Sequence, residues 1–132
     1  MKFEEKIQDR QGVKCIYEEI INTPNSIIAI ERCDFDQLFD CNEGDVEAIK
    51  ISVDGASEKR MANLLERIKT KVSQHTKRLL LFIIAPEQEL NMNEVYSLND
   101  FLNWFDIDVN CIWGYSRDES STDLKVAIIV QK

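Results

Sequence analysis

The sequence predicts a mixed α/β domain, an α+β two-layer sandwich. Its four-stranded mixed sheet carries two helices on one face and is preceded by an N-terminal helix. Strand and helix periodicities alternate from residue 46 onward and give two β-α-β passages. The chain closes with two alternating stretches, residues 109–116 and 124–131, which favour an antiparallel hairpin. We assign residues 1–30 to the N-terminal helix and its connection, and residues 31–132 to a single sandwich domain.

The N-terminal part is patterned unevenly. Residues 3–9 show little periodicity, whereas apolar side chains at positions 13, 16, 17, 20 and 21 predict an amphipathic helix that Pro24 ends. Residues 26–30 then form a short apolar connection. Asp34 is followed three residues later by Gln37, as in a capping box, which predicts a helix of roughly two turns.

The central elements have clearer signals. Residues 46–53 alternate like a strand, and Ser57 is the predicted N-cap of a helix that reaches about residue 73. Residues 79–85 are continuously apolar, which is typical of a central strand buried on both faces. Asn93 is the predicted cap of the next helix. That helix turns five apolar residues inward: Val95, Leu98, Phe101, Leu102 and Phe105.

Composition excludes several classes of protein. The net charge of −8 argues against nucleic acid as a partner. The sequence has no run of 18 apolar residues, so we predict no membrane span. The charged first residues do not resemble a secretion signal. We therefore expect a cytoplasmic protein with reduced cysteines that act mostly as small hydrophobic residues, at positions 15, 33, 41 and 111.

No residue pattern predicts a catalytic, cofactor-binding or metal site. The four cysteines lack the close spacings of a zinc site, and no glycine-rich phosphate loop is present. The single histidine, His75, has the setting of a solvated residue after a helix. Asp34 and Asp36 could hold Mg²⁺ or do acid–base chemistry, but a helix cap within an acidic surface is the interpretation that we favour.

Charge is distributed unevenly along the chain. Residues 31–47 carry seven acids against one base, and residues 57–78 carry seven bases against two acids. The second segment predicts a basic helix surface that includes Lys59, Arg60, Arg67 and Lys71. The two segments are either ordinary solvated faces or a self-complementary surface through which copies of the chain associate.

Three stretches, in order, resemble the bacterial tubulin-like cell-division protein FtsZ. Residues 20–25 and then Cys33-Asp34-Phe35 resemble the end of that family's central helix and its synergy loop, Asn-x-Asp-Phe-x-Asp. Residues 79–85 with Asn93-Glu94-Val95 resemble its apolar strand and the following helix start. Residues 109–119 and 124–130 resemble its Asn-Ile-Ile-Phe-Gly segment, acidic turn and last strand.

The resemblance implies the fold of the FtsZ C-terminal domain without the GTPase domain. It also implies a partner-binding segment formed by Arg32, Asp34, Phe35, Asp36 and Gln37. Arg32 stands where the family has Asn, and Gln37 stands where it has the second Asp. Because the resemblance does not extend to the GTPase domain with its glycine-rich loop, we expect no GTP bound by this chain alone, no catalysis and no cofactor. Since Gln cannot act as the missing carboxylate, we also expect the chain to be a poor activator of a neighbouring subunit.

The function expected from the resemblance is a stand-alone, non-catalytic domain that acts by protein–protein contact in the bacterial cytoplasm. It would modulate FtsZ assembly in cell division, with FtsZ or a second copy of itself as partner. Two alternatives are a self-associating structural domain and a small-molecule-binding domain on a ferredoxin-like fold.

Overall fold

The computed structural model describes residues 3–8, 10–23, 26–28, 46–107 and 109–131. They form three helices, α1 Arg10–Ile21, α2 Arg60–Lys69 and α3 Met92–Trp104. The six strands are β1 Phe3–Ile7, β2 Ser26–Ile28, β3 Val46–Asp54, β4 Arg78–Ala85, β5 Asn110–Arg117 and β6 Asp123–Gln131. The helix predicted after Asp34 lies outside the described residues.

All six strands belong to one sheet in the order β1-β3-β6-β4-β5-β2. β4 and β5 are parallel and the other neighbours are antiparallel, which confirms the predicted mixed α/β class. The sheet has two more strands than the predicted four, because β1 and β2 pair along its two edges. A domain boundary at residue 30 would therefore separate two edge strands from the sheet to which they are hydrogen-bonded.

The predicted closing hairpin is wrong. β5 and β6 are separated by β4, which pairs with β5 in parallel and with β6 antiparallel. Leu81 of β4 lies opposite both Trp113 and Ile128. The physical reason is that a fully apolar strand is best satisfied at the centre of a sheet, where both backbone edges are paired. The prediction that β4 is central is confirmed, since residues 79–83 are at most 1% exposed.

Helices cover both faces of the sheet. As predicted, α2 and α3 share one face, where Leu64 and Phe101 join the core built on Ile49, Leu81 and Ile128. α1 packs on the opposite face and adds a layer there. Its buried side chains Val13, Ile16, Tyr17 and Ile20 meet Ala48, Leu80, Phe82 and Ile129 of the sheet. Successive β4 side chains therefore enter alternate cores, as the two-residue period of a strand requires.

The two helices on the shared face begin differently from the prediction. α3 is capped by Asn91, two residues before the predicted Asn93. The Asn91 side chain accepts from the Glu94 amide at 2.9 Å, and the Glu94 carboxylate accepts from the Asn91 amide at 3.1 Å. α2 has no side-chain cap. Ser57 instead accepts from the Lys59 amide at 3.3 Å, within the turn that precedes the helix.

Candidate interaction surfaces

The predicted partner-binding segment, Arg32, Asp34, Phe35, Asp36 and Gln37, lies outside the described residues. Its role stays a prediction from the sequence resemblance. The other predicted surface, on α2 and the residues that flank it, is described in full and differs from the expectation.

Arg60 is not part of an exposed basic surface, so that part of the prediction is wrong. It is 4% exposed, and its Nε and Nη2 donate to the two carboxylate oxygens of Glu94 at 2.7 and 2.9 Å. It also donates to the carbonyl oxygens of Gly55 at 2.9 Å and Glu89 at 2.8 Å. A single guanidinium thus joins the turn before α2, the loop before α3 and the first turn of α3.

Arg67 and Lys71 are committed to an acid on the neighbouring strand. Arg67 donates to Glu4 Oε2 from Nη2 at 2.8 Å and from Nε at 3.1 Å, and Lys71 Nζ lies 3.3 Å from Glu4 Oε1. The hydrogen bonds from Arg67 lower the pKa of Glu4, helped by Lys71. Lys59 is exposed, as predicted. The charges of α2 therefore serve mainly to hold β1 and α3, which weakens the case for a self-complementary basic surface.

A second arginine secures the loop between β4 and α3. Arg117, at the end of β5, donates to the Glu87 carbonyl oxygen at 2.5 Å and pairs with the Glu89 carboxylate at 2.7 Å. Beside this loop lies an open cavity of about 190 Å³. Arg60 and Glu94 line it, but they already bind each other. The buried carboxylate that would have favoured a small-molecule site is therefore neutralised by the fold.

The remaining reactive side chains are dispersed. His75 is exposed, as predicted, and its Nδ1 lies 2.8 Å from Asp106 Oδ2. Cys15 and Cys111 are free and exposed, so the prediction that they act as small hydrophobic residues is wrong for these two. Among the described residues, no three His, Cys, Asp or Glu side chains are placed to hold a metal ion. Within the same part of the chain, no helix has the length and apolarity to cross a membrane.

The outer face of α3 is the most apolar exposed feature among the described helices. Met92 and Tyr96 are 63% and 61% exposed, one helical turn apart. Val95 and Leu102, which we predicted to face inward, are half-buried, and Leu102 packs against the core as predicted. The buried side chains of Leu98, Phe101 and Phe105 confirm the predicted inward face of the helix.

Comparisons with known proteins identify the fold. The structure superposes on a W319Y mutant of FtsZ from M. jannaschii with a TM-score of 0.67 and 18% sequence identity. The match covers 92% of this chain and 37% of the FtsZ chain, so the chain spans about a third of the protein that it matches. No family model and no curated protein sequence matches. The chain therefore has an FtsZ-like fold, which confirms the resemblance found in the sequence.

Proposed function

We propose that this domain is a non-catalytic, FtsZ-like module that acts by protein–protein contact and modulates the assembly of an FtsZ-type protein in the cytoplasm. The observation that supports the proposal is the match of nearly the whole chain to about a third of FtsZ. Because the domain shares the fold of that third of FtsZ, it would take the place of the same third of an FtsZ subunit in a filament.

The polar groups of the described residues favour contact over catalysis. Arg60 and Glu94 join two helices and their loops to one another, and Arg67 and Arg117 join a helix and a loop to the sheet. The sequence also has no glycine-rich phosphate loop. In the proposed contact segment, Asp34 and Phe35 match the synergy loop of the family, whereas Arg32 and Gln37 replace its other polar groups. A domain that docks but supplies an incomplete loop would cap or slow a filament.

The test is sedimentation of FtsZ with GTP, with and without this protein, together with phosphate release. We expect substoichiometric amounts to shorten or dissolve the polymer, and we expect no GTP hydrolysis by this protein alone. Charge reversal by Asp34→Arg should abolish the effect, whereas Glu5→Arg, at an exposed position of β1, should preserve it. Unchanged polymer at equal concentrations, with this protein left in the supernatant, would refute the proposal.

A further inference from the structure

We infer that the sheet face beside α1 carries a binding site for the phosphate group of a small molecule, formed by Lys50, Ser52 and Lys125. The three residues belong to the paired strands β3 and β6 and line a cavity of about 330 Å³. The site is independent of the proposed contact with FtsZ, because it uses only residues of two described strands.

The pairing of β3 with β6 brings the three side chains together. Ser52 lies directly opposite Lys125, and Lys50 lies opposite Ala127, one step along the same face of the sheet. Opposite side chains of an antiparallel pair have Cβ atoms roughly 5 Å apart, and diagonal neighbours such as Lys50 and Lys125 are roughly 7 to 8 Å apart. Two ammonium groups and one hydroxyl can therefore reach a single small ligand.

α1 covers only part of this face. Its apolar side chains pack on Ala48 of β3 and Ile129 of β6. Farther along the same face, the two strands present the polar side chains of Lys50, Ser52 and Lys125. The change from apolar to polar side chains coincides with the cavity, which indicates that the polar groups face it.

The hydroxyl of Ser52 is the strongest indication of a ligand. Ser52 is only 7% exposed and lines the cavity, yet its hydroxyl makes no hydrogen bond within the described part of the chain. A buried hydroxyl without a hydrogen-bond partner costs free energy, so native proteins rarely leave one unpaired. A ligand oxygen in the cavity would accept from this hydroxyl and remove that cost.

The charges around the cavity favour an anion. Two lysines line it, against one acid, Asp123. Lys125 is exposed and forms no ion pair among the described residues. Its charge acts on Asp118, but that carboxylate already accepts from the amide and the hydroxyl of Ser120, at 3.1 and 2.6 Å. Lys125 therefore offers a positive charge that a bound anion would neutralise.

Lys50 can bind a ligand without releasing its present partner. Its Nζ lies 3.2 Å from Oε2 of Glu19 on α1, and Glu5 stands opposite it on β1. An ammonium group has three donors, so the contact with Glu19 leaves two for another acceptor. Lys50 thus adds a second cation, weakened by the acids beside it, and Lys125 remains the main one.

A phosphate group matches this set of donors. It presents several oxygens at once, so it can accept from the Ser52 hydroxyl and from both ammonium groups, and lysine binds phosphate as a point charge. The cavity is also larger than a phosphate ion, which leaves room for the rest of a small molecule. We therefore assign the site to a small phosphate monoester.

The experiment is titration of the isotope-labelled full chain, followed by two-dimensional NMR, with inorganic phosphate and separately with glycerol phosphate. Sodium chloride keeps the ionic strength constant. We expect shift changes centred on the amides of Ser52 and Lys125. Because few contacts and partly exposed charges hold the ligand, we expect dissociation constants between about 0.1 and 10 mM. Tighter binding of glycerol phosphate would support a monoester, whereas equal or weaker binding would overturn that assignment.

Substitutions separate the site from diffuse attraction to lysines. Lys125→Met should weaken binding by about tenfold or more, because it removes the main positive charge. Ser52→Ala should weaken it by about threefold or more without loss of stability, since the folded chain loses no hydrogen bond. The matched control is Lys14→Met, which removes the same charge from an exposed position of α1 and should leave binding unchanged.

Thermal unfolding gives a second measurement. Phosphate should raise the unfolding midpoint of the wild type more than that of Ser52→Ala, because only the wild type has the full site. Equal rises in the two proteins would overturn the inference. So would equal binding by Lys125→Met and Lys14→Met, or the absence of shift changes up to about 50 mM phosphate. Since the assay contains no FtsZ, its failure would leave the proposed function untouched.

Discussion

α2 and α3 pack side by side on the same face of the sheet but use their surfaces in opposite ways. Four of the ten residues of α2 are charged, against two of the thirteen of α3. Yet Arg60 and Arg67 of α2 are bound to Glu94 and Glu4 within the fold, whereas Met92 and Tyr96 of α3 face outward. The density of charge in a segment therefore does not identify the surface that is free to bind a partner.

The largest loss of stability should come from breaking the Arg60–Glu94 ion pair between α2 and α3. Arg60→Met leaves Glu94 buried without its partner and removes the donors to Gly55 and Glu89, so we expect a loss of about 3 to 5 kcal/mol in the free energy of unfolding. Urea denaturation measures it. Lys59→Met, at the exposed neighbouring position, should change stability by less than about 0.5 kcal/mol. Similar losses in the two variants would show that Arg60 does not join the helices as described.

Substitutions on the inner and outer faces of α3 should differ nearly as much in their effect on the free energy of unfolding. Leu98 is buried, so Leu98→Ala should lower the free energy of unfolding by about 2 to 5 kcal/mol through lost contacts and a cavity. Tyr96→Ala, on the exposed side of the same helix, should stay within about 0.5 kcal/mol in dilute protein. Thermal unfolding of both variants checks the contrast. A large loss for Tyr96→Ala in dilute protein would mean that the outer face is part of the monomer core.

Removing the polar side chain at the start of α3 should cost more stability than removing the one before α2, because only α3 has a side-chain cap. Asn91→Ala removes the acceptor for the Glu94 amide and half of the capping box, so we expect a loss of about 1 kcal/mol. Ser57→Ala should have a smaller effect, because Ser57 stabilises a turn and does not cap α2. The midpoints of urea denaturation would rank the two substitutions, and the reverse order would contradict the assigned caps.

The smallest loss of stability should come from removing the ion pair that joins α2 to β1, and this loss depends on pH. Because folding lowers the pKa of Glu4, its stabilisation is fully present above the ordinary value of 4.5 and is lost as the pH falls through the lower folded value. At neutral pH, Glu4→Gln should destabilise the protein by at most about 1 kcal/mol, since Arg67 is partly solvated. The difference from wild type should shrink below pH 4.5. The exposed Glu5→Gln is the control, and equal effects in the two variants would contradict a special role for Glu4.

Elements whose burial is uniform could be predicted, and elements defined by distant partners could not. The continuous apolar run of residues 79–85 predicted a central strand correctly, because both faces and both edges of β4 are covered. The neighbours of β5 and β6 depend on long-range pairing, which local periodicity does not specify. β1 was missed because Glu4 faces α2 at a position where a strand usually carries an apolar residue, and Arg67 compensates for it.

The buried ion pair could have been found in the sequence. Arg60 precedes Leu64 by four residues and so lies on the apolar stripe of α2, and Glu94 has the same relation to Leu98 in α3. Two opposite charges, each on the inward stripe of its helix, predict a pair in the core. The contact segment at residues 32–37 was found only through family resemblance, since an Asp-x-x-Gln pattern by itself predicts no more than a helix cap.

The position of β6 in the sheet has a consequence for the order of synthesis. Residues 123–131 fill the gap between β3 and β4, and Val46 is paired with Gln131, the last described residue. While the ribosome makes the chain, β3 and β4 emerge with unpaired backbone on the edges that β6 will occupy, and they must wait for the last strand. Such long-range closure slows folding and prolongs the time during which apolar strands are accessible to chaperones and to other nascent chains.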